Sequence, residues 1–133
     1  MKLIPREKLI VRESFSMPFQ GGDIWFEQLD ALSIHKELAM EKFHKDMETI
    51  RRPSTTGLIA VNLNETEVDS DMAQQIITCL AEESKLKKVV FVGLSRKIKV
   101  YLKKYLSQNQ SHVSFVCNFI DDYEKAKLWL VGR

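Results

Sequence analysis

Residues 58–80 read LIAVNLNETEVDSDMAQQIITCL. The opening LIAVNL, set behind Gly57, is a compact apolar run. It is too short for a helix and typical of a central strand buried on both faces. From Met72 onward the period changes, and Met72, Ala73, Ile76, Ile77 and Leu80 fall on one side of a helix. The turn between the two gathers Glu65, Glu67, Asp69 and Asp71 around Thr66 and Ser70. A buried strand running into an amphipathic helix is half of a parallel crossover unit.

The pattern repeats downstream. KKVVFVGLS (87–95) is a second buried-strand run, and SRKIKVYLKKYL (95–106) a helix with Ile98, Tyr101, Leu102 and Tyr105 inward. HVSFVCNFI (112–120) reads as the last strand. DDYEKAKLWLV (121–131) reads as the last helix, with Tyr123, Ala126, Leu128 and Trp129 or Leu130 available for packing. Upstream, Leu32, Leu38 or Ala39, Phe43, Met47 and Ile50 predict a helix over 30–52. Asp30 and Ser33 are its candidate N-caps, and Pro53 follows Arg51 and Arg52 as a stop. EKLIVRESF (7–15) and DIWFEQL (23–29) predict two antiparallel strands about a turn marked by Pro18, Gly21 and Gly22.

The expected order is β-β-α-β-α-β-α-β-α. It predicts one α/β domain over 1–133, with a single mixed sheet of about five strands and four helices. The N-terminal hairpin is antiparallel and the remainder mainly parallel. Ile59, Val61, Val90, Val92, Phe115 and Cys117 are expected to be buried. In such sheets the binding site lies at the carboxyl ends of the strands. Those ends are Asn62 to Asp71, Gly93 to Lys97 and Asn118 to Asp122.

Composition narrows the partners. A formal charge of +2 over 133 residues is too small to point to nucleic acid or a membrane surface. No apolar run approaches the roughly 18 residues a membrane span needs. The opening MKLIPREKLIV is interrupted by Pro5, Arg6, Glu7 and Lys8, so no signal-peptide core is expected there. Cys79 and Cys117 sit in apolar patterns and read as buried free thiols in a reducing, cytoplasmic setting. Self-association is left open.

Several residue groups carry potential chemistry. The acidic turn could converge with Asp121 and Asp122 on a metal, but the plainer reading is helix capping, with Thr66 and Asp69 spaced as a capping box. Gly93, Ser95 and Arg96 suggest an anion site at a helix start, yet a single glycine does not make a nucleotide cradle. Arg96, Lys99 and Lys103 fall on one exposed stripe, with Lys97 and Lys104 elsewhere on the polar surface; the plainer reading is a solvated face opposite the core, and the functional one an acidic protein partner. Aromatic residues are not interleaved on that side, as nucleic acid would require. His35 and His44 point to opposite sides of their helix, and His112 lies in a loop. Neither cysteine has a neighbouring activator in sequence. No catalytic set, metal site or cofactor is expected.

With these residues in view, LIAVNLNETEVDSDMAQQIITCL, KKVVFVGLSRKIKVYLKKYL and VSFVCNFIDDYEKAKLWL resemble the STAS family, which includes the anti-sigma-factor antagonists. The resemblance spans roughly residues 8 to 131 and rests on organisation more than on identities. Stand-alone STAS-like and CRAL-TRIO-like proteins are equally similar. It implies a bacterial, non-enzymatic regulatory module that binds a protein partner, an anti-sigma factor or kinase. It also implies that Ser70, following Asp69, is the phosphoacceptor. The family has a small residue and glycine after that serine, whereas Asp71 and Met72 stand here. An added carboxylate beside the hydroxyl opposes a phosphate. The expected partner-binding set is Asp69, Asp71, Arg96, Lys97, Lys99 and Lys103. The alternative is a small-molecule or phosphometabolite binder using Gly93, Ser95 and Arg96.

Overall fold

The computed structural model describes residues 3–132. Five strands form one sheet in sequential order: β1 (Phe15–Phe19), β2 (Gly22–Gln28), β3 (Leu58–Asn62), β4 (Lys88–Val92) and β5 (Val116–Phe119). β1 pairs antiparallel with β2, and the other neighbours are parallel. Four α-helices follow the strands: α1 (Lys36–Ile50), α2 (Ser70–Ala81), α3 (Arg96–Gln108) and α4 (Tyr123–Val131). The predicted mixed α/β sheet of five strands and four helices is the fold observed.

Sequential parallel strands joined by crossovers of one hand place their helices on one face. Phe43, Ile76 and Leu102, from α1, α2 and α3, accordingly share a core with Trp25, Ile59, Val61, Val89 and Phe91. α4, after the last strand, covers the opposite face, where Ala126 and Leu130 pack on Ile24, Phe26, Ala60, Val90 and Val92. β3 and β4 lie between helices on both sides, which is why their sequences are continuous apolar runs. Cys117 is half-buried rather than buried, because β5 is an edge strand. Cys79 is also half-buried, and both thiols are free. Leu128 is exposed, since α4 turns Ala126 and Leu130 inward. No helix of the described residues is long and apolar enough to cross a membrane.

The N-terminal strand differs from expectation. Residues 7–15 form no strand up to Phe15: Arg6–Lys8 is a 3-10 turn, and pairing runs over Phe15–Phe19. The hairpin turn is Gln20–Gly21, both at positive φ (46° and 85°), the geometry a two-residue loop requires. Pro18 lies within edge strand β1, where its missing N–H is tolerated. The ladder ends because a side chain takes over: Ser14 Oγ accepts from the Gln28 amide at 2.9 Å. The segment before it becomes a strap, tied by Arg12 to Asp30 at 2.8 Å and by Ser14 to Asp46 at 2.9 Å.

α1 also starts later than its apolar period suggests. Its N-cap is His35, without a side-chain cap bond. Asp30 is engaged by Arg12, and Ser33 adopts positive φ (54°) in a bridge with Thr66, so neither caps the helix. Leu32 is buried, but from the loop.

Candidate functional site

The loops after β2 and β3 continue the pairing beyond the strands. Leu29 N donates to Asn62 O (3.0 Å), Ala31 N to Asn64 O (2.8 Å) and Ser33 N to Glu65 O (2.9 Å). Thr66 Oγ1 donates to Leu29 O (2.6 Å) and accepts from Leu32 N (3.0 Å). Thr66 therefore staples two loops and takes no part in a capping box. Ala31, Ser33 and Glu65 hold positive φ (59°, 54° and 58°), each at a cost of roughly 1–2 kcal/mol. Such strain persists where surrounding bonds over-determine the backbone.

Gly93 closes this edge against the same loop. Its φ is +90°, and a Cβ there would stand 2.6 Å from Asn64 N and 2.8 Å from Asn64 Cα. Asn64 Oδ1, at 2.5 Å, is side chain and can move, but the other two atoms are backbone and cannot swing aside. Gly93→Ala is expected to lose about 2–4 kcal/mol from combined dihedral strain and overpacking, read as a lower urea midpoint. A midpoint unchanged from wild type would contradict this close approach.

The acidic turn resolves into separate roles. Asp69 is the N-cap of α2: it accepts from Met72 N at 2.8 Å and from Lys36 Nζ at 3.1 Å. The Met72 amide and Lys36 hold its carboxyl below the usual carboxylate range. Ser70 is the first residue of α2 and half-buried, and Asp71 beside it is exposed. Among the described residues, no group of three or more His, Cys, Asp or Glu could hold a metal ion.

The third helix splits the basic stripe. Ser95 caps α3, accepting from Ile98 N at 3.3 Å. Lys99 donates to Asp121 at 2.6 Å, and the Gly93 amide donates to the same carboxylate at 3.1 Å. Lys99 and then the Gly93 amide hold the Asp121 carboxyl below its usual range. Asp121 thus occupies the amide and ammonium that an anion at Gly93 would use. Lys103 Nζ lies over the Phe119 ring, 5.8 Å from its centroid. Arg96 and Lys97 are exposed and form no ion pair among the described residues. The structure therefore brings Gly93, Lys99 and Asp121 together. It leaves Arg96 and Lys97 as the free cations of the set.

Two polar groupings escaped the sequence reading. On the α1 face, Glu27 is fully buried and accepts from Trp25 Nε1 at 2.9 Å. Burial first, and then Asp46, push its pKa up to about 9. Glu27 is therefore a neutral acid facing Asp46, with its Oε2 closing no hydrogen bond of good geometry. Burial opposes ionisation of Asp46, but the Glu27 acid, Lys42 and Ser14 together outweigh it and hold that carboxyl low. Lys42 Nζ lies 2.7 Å from both Asp46 Oδ2 and Ser14 Oγ. On the α4 face, Gln28 and Asn62 are buried register partners. The available signal was strand alternation in DIWFEQL: a strand buried on both faces leaves no solvent side for Glu27 or Gln28.

Comparison of the chain with protein-family models, curated proteins and solved structures gives no match.

Proposed function

We propose that the chain is a non-enzymatic regulatory module that binds a protein partner in the manner of the STAS-like anti-sigma-factor antagonists. Its binding face is the carboxyl-end edge of the sheet. The observation that carries this reading is Ser70: a half-buried hydroxyl at the first position of α2, immediately after the Asp69 cap on the loop leaving β3. Asp71 on one side, and the unpaired Arg96 and Lys97 at the start of α3, supply the charge pattern for a polar partner surface. A cytoplasmic location goes with this reading.

A phosphate on Ser70 gains from the exposed amides and dipole of α2. It loses to repulsion from Asp69 and Asp71, and Lys36 already faces Asp69. Modification therefore acts on the partner contact more than on the fold. Ser70→Asp is expected to lower partner affinity about tenfold or more while leaving the melting temperature nearly unchanged. Ser70→Ala is expected to keep binding and to change stability by less than roughly 0.5 kcal/mol, since Asp69 is the cap. Calorimetry with the protein retained from a bacterial extract by the immobilised chain measures both. Equal affinity for the wild-type, Ala and Asp forms would reduce this turn to a helix cap. A rise in melting temperature with phosphorylated metabolites would favour instead the ligand-binding reading through Gly93, Ser95 and Arg96.

A further inference from the structure

The two edges of the sheet are finished differently. β1 forms one edge, and the two-residue turn at Gln20–Gly21 pairs Phe19 with Gly22. In such a hairpin the closing pair is hydrogen-bonded, so Phe15, Met17 and Phe19 bond β2 while Ser16 and Pro18 turn outward. Pro18 has no N–H to offer, which blunts that edge. β5 forms the other edge with Val116, Cys117, Asn118 and Phe119, which hold neither a proline nor a charge. Val116 is 61% exposed.

The outward groups of β5 follow from its ladder. The Val116 amide donates to Lys87 O at 2.9 Å, and the Ile120 amide to Phe91 O at 3.1 Å. Alternation along a parallel ladder then turns the N–H and C=O of Cys117, and those of Phe119, away from β4. Asn118 Oδ1 accepts from the Phe119 amide at 2.8 Å, so that donor is already used. Cys117 keeps a donor and an acceptor on the open edge, and Phe119 an acceptor. Groups in this arrangement are completed by another extended backbone.

A row of cations runs beside the same edge. Lys103, on α3, holds Nζ over the Phe119 ring of β5, and Lys99 reaches Asp121 just past that strand. These contacts set the stripe of Arg96, Lys99 and Lys103 along β5, since residues three and four apart share a helix face. Asp121 answers Lys99, but Arg96 and Lys103 form no ion pair among the described residues. Between α3 and β5 a groove of about 510 Å³ is lined by Lys103, Leu106, Val113, Phe115 and Cys117. Alternate side chains of an added strand would point to that side of the sheet. The cations also argue against a second copy of this chain as the occupant. Two β5 edges joined about a twofold axis would bring two basic stripes together.

We infer that β5 is a strand-addition site for an extended acidic segment of a partner protein. The segment pairs through its backbone with Cys117 and Phe119, lays apolar side chains in the groove beside Leu106 and Phe115, and brings carboxylates to Lys103 and Arg96. The bare backbone selects an extended chain, and the unpaired cations select its charge. The site does not use Ser70 and does not depend on the function proposed for that turn.

The test is fluorescence anisotropy of the full chain with a labelled, blocked peptide of alternating glutamate and valine, about six residues long. The lysine–valine counterpart, the same glutamate–valine peptide N-methylated at every residue, and oligothymidylate serve as controls. The expected result is saturable binding at millimolar concentration or below, with the Cys117 amide slowed in hydrogen exchange. The N-methylated peptide keeps the charges but loses its backbone donors, and is expected to bind at least about fivefold more weakly. Lys103→Glu, at an exposed position, is expected to weaken binding of the plain peptide by about the same factor while leaving the melting temperature nearly unchanged. The inference is overturned if the plain peptide does not saturate, if any control binds as tightly, or if Lys103→Glu binds like the wild-type chain. It is likewise overturned if the Cys117 amide exchanges equally fast with and without peptide, or is already protected in a dimer of the chain, which would give the edge to a second copy.

Discussion

Replacing Val90 with Asp is expected to leave the chain unable to fold cooperatively. Val90 is fully buried on β4, between β3 and β5, beneath the Ala126 and Leu130 face of α4. The side chains packed around it there are apolar: Ile24, Phe26, Ala60, Val92, Ala126 and Leu130. Either the charge is buried unpaired or the group is protonated at the expense of folding; both cost several kcal/mol. Small domains have only about 5–15 kcal/mol in total. The fraction of soluble protein and the loss of a sigmoidal thermal transition measure the effect. Val90→Ala, which only opens a small cavity, is expected to fold with a loss of about 2 kcal/mol. Cooperative unfolding of Val90→Asp near the wild-type midpoint would mean that β4 does not lie where the structure puts it.

Glu27→Gln is expected to stabilise the protein at neutral pH. In the folded state Glu27 holds its proton up to about pH 9, whereas the unfolded carboxyl ionises near 4.5. The folded state therefore binds the extra proton over that window, and stability falls as pH rises through it. The contribution of Glu27 is fully present below about pH 4.5 and is lost progressively toward pH 9. At up to ~1.4 kcal/mol per pH unit, the loss at pH 7 is about 3 kcal/mol. Asp46 works in the opposite direction: its low folded pKa adds stability above the unfolded value of 3.8, lost as pH falls further. A glutamine amide still accepts from Trp25 and can donate to Asp46, without an ionisation to suppress. Urea unfolding at pH 5, 7 and 8.5 should show a wild-type profile that falls with pH and a much flatter one for Glu27→Gln. Parallel profiles for the two proteins would remove Glu27 as the source of the pH dependence.

These expectations differ in how far the sequence alone leads to them. Val90 sits in KKVVFVGLS, and a continuous apolar run is enough to predict a strand covered on both sides. Glu27 sits in DIWFEQL, which looks like an ordinary strand until both of its faces are known to be covered. The carboxyl-end edge of the sheet divides in the same way. Ser95 and Asp122 cap α3 and α4 through bonds to amides three residues on, contacts short enough for a local pattern to carry. Lys99 was read as part of an open basic stripe, and its partner Asp121 lies 22 residues away.

The sequence by itself determined the succession of strands and helices, the central position of β3 and β4, and the caps of α3 and α4, whereas the capping box expected at Thr66 gave way to a cap by Asp69. Those features rest on periodicity and on contacts within one helical turn, which short stretches of chain carry whole. Tertiary structure alone decided that the strands lie in sequential order and that α4 covers the opposite face. It also turned the N-terminal segment into a strap after Ser14 captured the Gln28 amide. Only there do Gln28 and Asn62, 34 residues apart, become neighbours beneath Tyr123. The physical reason is that burial and pairing of a polar group depend on what packs across from it. That partner comes from another strand or helix, out of reach of any local pattern.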